Sequence, residues 1–180
     1  MMKKGVALAL VVLVGGGLSA FVYAISTNKI VIGYNKSYAP DQPIPYPHDL
    51  HAGQYQIDCK YCHSQVEVSR HAGVPSLNVC MNCHMGVKVR PEAQPWIDKM
   101  RDAYNSGQSI AWKKVHLLPD HVKFNHAPHI KAGKQCQECH GPIQEMKTVY
   151  QYSSLSMGWC VNCHKDKANN APLNCSTCHY

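Results

Sequence analysis

Residues 59–63 read Cys59-Lys60-Tyr61-Cys62-His63, and this short motif decides how the rest of the chain is interpreted. Its spacing returns in Cys80-Met81-Asn82-Cys83-His84, Cys136-Gln137-Glu138-Cys139-His140, Cys160-Val161-Asn162-Cys163-His164 and Cys175-Ser176-Thr177-Cys178-His179. Two thiols three positions apart lie on one side of a helical turn, where they can form thioethers to the two vinyl groups of one haem. The adjacent histidine then faces the iron as its proximal ligand. The pattern predicts five covalent c-type haems.

The five motifs use all ten cysteines of the chain. Zinc ribbons also contain Cys-x-x-Cys pairs, but they use the pairs two at a time and need no histidine after each. Disulfides would suit an exported protein, although adjacent Cys-x-x-Cys pairs are usually redox motifs. Haem attachment is the interpretation that employs every cysteine together with every adjacent histidine.

Seven histidines lie outside the motifs and form a supply of second axial ligands. Electron-transfer haems are six-coordinate, because a closed shell changes little on reduction and excludes oxygen or substrate. We expect the distal ligands among His48, His51, His71, His116, His126 and His129. The seventh, His121, is expected at the surface or beside a ligand.

The distal ligand of the fourth haem is a separate question, because no histidine lies between the third and fourth motifs. That stretch offers only Met146 and Met157 as thioether ligands, and Met157 lies just before the fourth motif. A thioether ligand would raise the reduction potential of this haem relative to a second histidine. Two alternatives stay open: Met157 packs on the macrocycle, or His116 supplies the ligand.

An internal repeat organises the haem region. Residues 46–53 and 124–133 both contain aromatic-x-His-x-x-His followed by Ala-Gly, and each copy continues into two haem motifs. The fifth motif follows the second copy. The repeat predicts two di-haem units and one extra haem within residues 48–180, with equivalent roles for the corresponding histidines of the two copies.

The N-terminal stretch, residues 5–26, is apolar and uncharged and follows Lys3 and Lys4. It is long enough to cross a bilayer, and the preceding lysines favour a cytoplasmic N-terminus. We expect a retained anchor over residues 1–27, a proline-rich linker over 28–47, and a haem domain on the periplasmic side of the cytoplasmic membrane. A cleaved signal peptide is the competing interpretation, but its apolar region is usually shorter.

The composition favours a core built from haems. The chain has 2 Phe and 3 Trp, and small chains with thin cores usually need such staples. Gly, Pro, Asn and Ser are frequent, and no segment alternates like a strand. The expected fold class is mostly irregular with short α-helices, packed around haems as in multihaem cytochromes c. One longer helix is expected around Trp96, Met100 and Tyr104.

The formal charge of +7 has an internal explanation. Each ferric haem adds a net charge of roughly −1 through its two propionates, so five haems would leave the protein near neutral. The sequence has no basic run with interleaved aromatic residues, which argues against a nucleic-acid partner.

The aromatic-x-His-x-x-His pattern ahead of a haem motif, in residues 46–63 and 124–140, resembles the class III multihaem cytochromes of the c3 and c7 group. In that group the two histidines are distal ligands to two different haems. Over most of the chain the sequence looks like the pentahaem subunit of alternative complex III, in residues 51–63, 73–84, 116–126 and 156–160.

The second resemblance implies an electron-transfer subunit that is no enzyme by itself. It would relay electrons from a quinol-oxidising membrane complex towards a mono-haem or soluble periplasmic acceptor. The implied partners are an iron–sulfur subunit, multi-span subunits that handle the quinol, and a mono-haem cytochrome c. The alternatives are a membrane-anchored multihaem quinol dehydrogenase and a multihaem reductase with one open haem. The supply of spare histidines argues against an open haem.

Overall fold

The computed structural model describes residues 4–26 and 35–180, and the chain divides into two compact units, Met1–Asn35 and Lys36–Tyr180. The first unit contains helix α1, Lys4–Ser26. Its segment Gly5–Ala24 has a mean hydropathy of 2.3 and is not buried. This helix is long and apolar enough to cross a membrane, and a signal sequence would have the same character. The start of the predicted linker, residues 28–34, lies outside the described residues.

The second unit consists of short helices joined by irregular backbone, and the described residues contain no strand. Its α-helices are α2 Cys59–Cys62, α3 Leu77–His84, α4 Gln94–Asn105, α5 His126–Lys131, α6 Cys136–His140 and α7 Met157–Lys165. A π-helical turn spans Asp49–Gln54, and 3-10 turns span Pro91–Ala93, Ile143–Glu145, Lys167–Asn169 and Cys175–Thr177. The predicted fold class is confirmed.

Every haem motif lies on a helical turn, and side-chain caps fix where three of these turns begin. The Asp58 carboxylate accepts a hydrogen bond from the Lys60 amide at 2.7 Å, directly ahead of the first motif. Gln135 and Glu138 form a capping box at α6, and the Ser156 hydroxyl caps α7. Because a cap satisfies amides that would otherwise lack partners, each helix starts at a defined residue. The two thiols of these motifs are thereby presented on one helical turn.

The predicted helix around Met100 is confirmed as α4, although its buried stripe differs from the expected one. Ile97 and Met100 are buried, whereas Trp96 and Tyr104 are 41% and 38% exposed. The helix packs against α3, and its buried residues join Ile44 and Met81 in the hydrophobic core. The two aromatic residues are therefore partly exposed to solvent and do not form the buried stripe of α4.

The second half of the predicted linker packs onto the haem domain. The Ser37 amide donates to the Gln151 carbonyl at 2.7 Å, and the Gln151 amide donates to the Tyr38 carbonyl at 2.9 Å. Ile44 is buried in the core described above. Residues 36–47 are therefore irregular chain that belongs to the second unit.

Candidate haem-binding sites

No disulfide joins any of the ten cysteines. Within residues 4–26 and 35–180, no group of three or more histidine, cysteine or carboxylate side chains could hold a bare metal ion. A zinc ribbon would bring four such ligands together. The described arrangement therefore fits pairs of thiols that each serve a separate group.

Thiols of the first motif have neighbours in the second and third motifs. Burial raises the pKa of the Cys80 thiol, and the nearby Cys62 thiol raises it further. Burial also raises the pKa of Cys59, and the next cause is the neighbouring Cys136 thiol. The first motif therefore lies between the second and the third.

The remaining motifs continue the same series. Burial raises the pKa of Cys139 to about 11, and the adjacent Glu138 and the Cys163 thiol of the fourth motif contribute in that order. Burial raises the pKa of Cys160, and the next cause is Cys178 of the fifth motif. The spatial order of the motifs is therefore second, first, third, fourth and fifth.

The motif histidines face other histidines at a distance that suits a shared metal. Two imidazoles that bind one ion from opposite sides have ring centroids about 6 Å apart, because each metal–nitrogen bond is about 2 Å long. The facing pairs are His51 and His84 at 6.1 Å, His126 and His140 at 6.3 Å, His129 and His164 at 6.0 Å, and His121 and His179 at 5.6 Å.

The histidine of the first motif is associated with His48. Burial lowers the pKa of His48 to about 4, and the nearby His63 is the next cause. Burial is also the main reason that the pKa of His140 falls to about 3. Buried neutral imidazoles are the form that binds iron.

Most of these imidazoles use the Nδ1 atom for a hydrogen bond to a backbone carbonyl. The Nε2 atom is then left as the ligand atom, and the carbonyl fixes the orientation of the ring. The pairs and their distances are His51 to Pro47 at 2.9 Å, His63 to Gly73 at 2.6 Å, His126 to Arg70 at 2.7 Å, His129 to Asn125 at 2.7 Å, His164 to Pro172 at 2.7 Å and His179 to His121 at 2.9 Å.

A cavity separates the first motif from the third. Its lining includes Cys59 and His63 from one motif, Cys136 and His140 from the other, and the ring of Phe124. Thiols, imidazoles and an aromatic ring are the groups that a covalently attached macrocycle contacts. The donor set and the geometry of these residues fit c-type haems.

Comparison with known proteins agrees with this chemistry. Residues 122–180 match the model of the family described as cytochrome c7 and related cytochrome c. The chain is also similar to the multiheme cytochrome c subunit of menaquinone reductase from Nitratidesulfovibrio vulgaris (strain Hildenborough), with 28% identity over 164 residues that cover 77% of each chain.

The five motifs and these two similarities support a multihaem cytochrome c. Residues 122–180 are cytochrome c7-like, and this similarity supports multiple covalent c-type haems. The exchange of single electrons is the chemistry that such haems supply. The polypeptide would contribute the attachment points and the axial ligands and would keep other ligands away from the irons.

Four of the histidines that were expected to be distal ligands lie near motif histidines: His48, His51, His126 and His129. His71 is exposed and has no ring contact within the described residues. His116 lies 3.0 Å from the Nδ1 atom of His140, on an edge of the ring that a ligand nitrogen would not use.

Two further residues bear on the ligand assignment. His121, expected at the surface or beside a ligand, is exposed and faces His179 with nearly parallel rings at 18°. Met157 is 68% exposed, and His129 occupies the position opposite His164. Methionine ligation of the fourth haem stays a prediction that the geometry does not favour. The count of spare histidines was the only signal in the sequence that could have pointed to His121.

Proposed function

We propose that this chain is the cytochrome subunit of a membrane-bound quinone oxidoreductase and relays electrons through five haems. The observation that carries the proposal is that four of the five motif histidines face a second histidine at about 6 Å, while the remaining one, His63, lies near His48. An iron held by two imidazoles has no open position for a substrate, so each haem passes electrons without binding one.

The ligand assignment follows from these pairs. In this proposal, the histidines of the five motifs are the proximal ligands. The distal ligands are His48 opposite His63, His51 opposite His84, His126 opposite His140, His129 opposite His164 and His121 opposite His179. The two histidines left over are His71 and His116.

The order of the motifs supports a linear path for electrons. Neighbouring thiols connect the second haem to the first, the first to the third, the third to the fourth and the fourth to the fifth. The second and fifth haems would therefore be the ends of the path. The polypeptide's part is to hold the macrocycles close together and to keep every iron six-coordinate.

The similarity to a menaquinone reductase subunit favours a complex that exchanges electrons with quinone. It agrees better with the alternatives of a multihaem reductase or quinol dehydrogenase than with alternative complex III. The apolar helix α1 would anchor the chain beside the quinone pool, with the haem domain on the periplasmic side. The proposed partners are the other subunits of such a complex.

The test uses the full chain, tagged and purified from its native membrane in mild detergent. The expected results are five haems per chain by intact mass, low-spin ferric spectra for all of them, and co-purification of quinone-binding subunits. A high-spin haem that binds carbon monoxide would overturn the role of a pure electron relay.

The direction of electron flow separates the two candidate complexes. Net reduction of a menaquinone analogue by a reduced periplasmic donor would support a reductase. A co-purifying mono-haem cytochrome c, together with reduction of an external acceptor by quinol, would support alternative complex III.

A further inference from the structure

The third haem motif differs from the others in what its histidine contacts. The Nδ1 atom of His140 lies 3.0 Å from the Nε2 atom of His116, and the two rings meet edge to face with centroids 4.3 Å apart. The motif histidines His63, His164 and His179 instead have backbone carbonyl oxygens at this position. His140 is therefore paired with a side chain whose acceptor is a nitrogen atom.

His116 and His126 lie on different edges of His140. The His126 ring is parallel to the His140 ring, within 5°, and its centroid lies at the distance expected for two ligands of one iron. When iron is bound through Nε2, the Nδ1 atom of His140 carries the proton and must donate it to a hydrogen-bond acceptor. His116 supplies that acceptor.

A buried side chain holds His116 in this place. Gln151 is fully buried, and its amide oxygen accepts a hydrogen bond from the Leu117 backbone amide at 3.0 Å. The amide nitrogen of Gln151 donates to the Ser153 carbonyl at 3.2 Å. The backbone next to His116 is thus fixed by a residue whose own hydrogen bonds lie inside the protein. The fold therefore holds His116 against His140.

We propose that His116 is a positioning residue for the third haem, accepting a hydrogen bond from His140 and lowering the reduction potential of that haem. The inference rests on the proposed function, because it requires His140 to be an axial ligand. An imidazole nitrogen is a stronger acceptor than a carbonyl oxygen, so His140 gains more anionic character and stabilises ferric iron. In the proposed order, the third haem is the middle one, and every electron that crosses the chain passes it.

The decisive variant is His116→Ala in the full haem-loaded chain, compared with His71→Ala, which replaces an exposed histidine without ring contacts. In a redox titration followed by visible spectra, His116→Ala should shift one haem to a higher potential and leave the other four unchanged. The ferric paramagnetic resonance spectrum should show altered g values for one low-spin haem. His71→Ala should change neither measurement.

A partial rescue distinguishes hydrogen bonding from packing. His116→Gln offers an amide oxygen as a weaker acceptor, so the potential of the third haem should lie between its values in the wild type and in His116→Ala. If the alanine variant does not fold, the upward shift in His116→Gln tests the proposal. A new high-spin haem in His116→Ala would show that His116 is an axial ligand and would overturn the proposal. Unchanged potentials and g values would overturn it too. Failure of the proposed function would be visible in the wild type, as missing haems or a high-spin signal.

Discussion

The two proposed di-haem units, residues 46–84 and 124–164, repeat the same arrangement of rings. In each unit the aromatic residue meets the first histidine edge-on, with centroids 4.8 Å apart, and packs more nearly parallel to the second histidine. In each unit the second histidine then faces the histidine of the second motif at about the same distance, 6.1 Å and 6.0 Å. The repeated residues therefore determine the geometry within a unit.

The units differ where residues from outside the repeat reach them. The His164 Nδ1 atom bonds to the Pro172 carbonyl at 2.7 Å, whereas the Nδ1 atom of its counterpart His84 is buried without a hydrogen-bond partner. His140 contacts His116, whereas its counterpart His63 contacts the carbonyl of Gly73. The comparison teaches that the repeat supplies ligands, while the connecting segments supply the groups that make one haem unlike another.

The largest expected effect tests whether the second histidines of the two units are equivalent. His51→Ala and His129→Ala should each convert one haem from low spin to high spin, because each removes one axial imidazole. Ferric absorption and paramagnetic resonance spectra, with carbon monoxide binding to the reduced protein, measure the change. His71→Ala is the matched control and should remain low-spin. A spin change in only one of the two ligand variants would break the equivalence.

Replacing the glycine of each Ala-Gly pair tests how far the two copies differ in their backbone contacts, through the free energy of unfolding. A Cβ atom at Gly53 would collide with the backbone carbonyl of Gln144, so Gly53→Ala should lower the free energy of unfolding by about 3 kcal/mol. Gly133 has open space around it but a φ of +78°, so Gly133→Ala should cost only about 1 kcal/mol. Denaturant unfolding of the haem-loaded protein gives both values. Equal losses would argue against a close backbone contact at Gly53.

A smaller effect is expected from the one chemical difference between the repeated aromatic residues. Burial raises the pKa of Tyr46 above its ordinary range, and the neighbouring Cys62 and Cys80 thiols raise it further. Tyr46→Phe reproduces the Phe124 of the other unit and keeps the ring contacts with both histidines. It should change the free energy of unfolding by less than about 1 kcal/mol and leave the spectra unaltered. A high-spin signal in this variant would mean that the hydroxyl helps to hold an axial ligand.

The smallest expected effect concerns the ligand of the fourth haem. Met157→Leu should leave the spin state and the potentials unchanged, because His129 faces His164 and the Met157 side chain is exposed. The oxidised wild type should then lack the weak far-red band of methionine-to-iron charge transfer. If the band is present and disappears in Met157→Leu, the fourth haem has a methionine ligand and the two units differ in ligand type.

Local chemistry in the sequence was sufficient to predict the helical turns that carry the haem motifs, the long apolar helix and helix α4. Cys-x-x-Cys-His needs only one turn of backbone, and the caps that start such turns lie within three residues of them. The repeat also predicted that His51 and His129 occupy equivalent positions, because both copies contain the same spacing. Residues 36–47 show what the sequence could not predict. Their prolines indicate a chain without regular structure, but they do not indicate which part of the protein it packs against.

Only the tertiary structure decided which histidines meet. His121 and His179 are separated by 58 residues, and the fifth motif has no second copy from which a partner could be inferred. His116 has the same residue type as the ligands, and only its contact with the Nδ1 edge of His140 sets it apart. The two imidazoles of an axial pair are brought together by the fold and not by their spacing in the sequence. The sequence therefore shows how many histidines are available, and the path of the backbone determines which of them face each other.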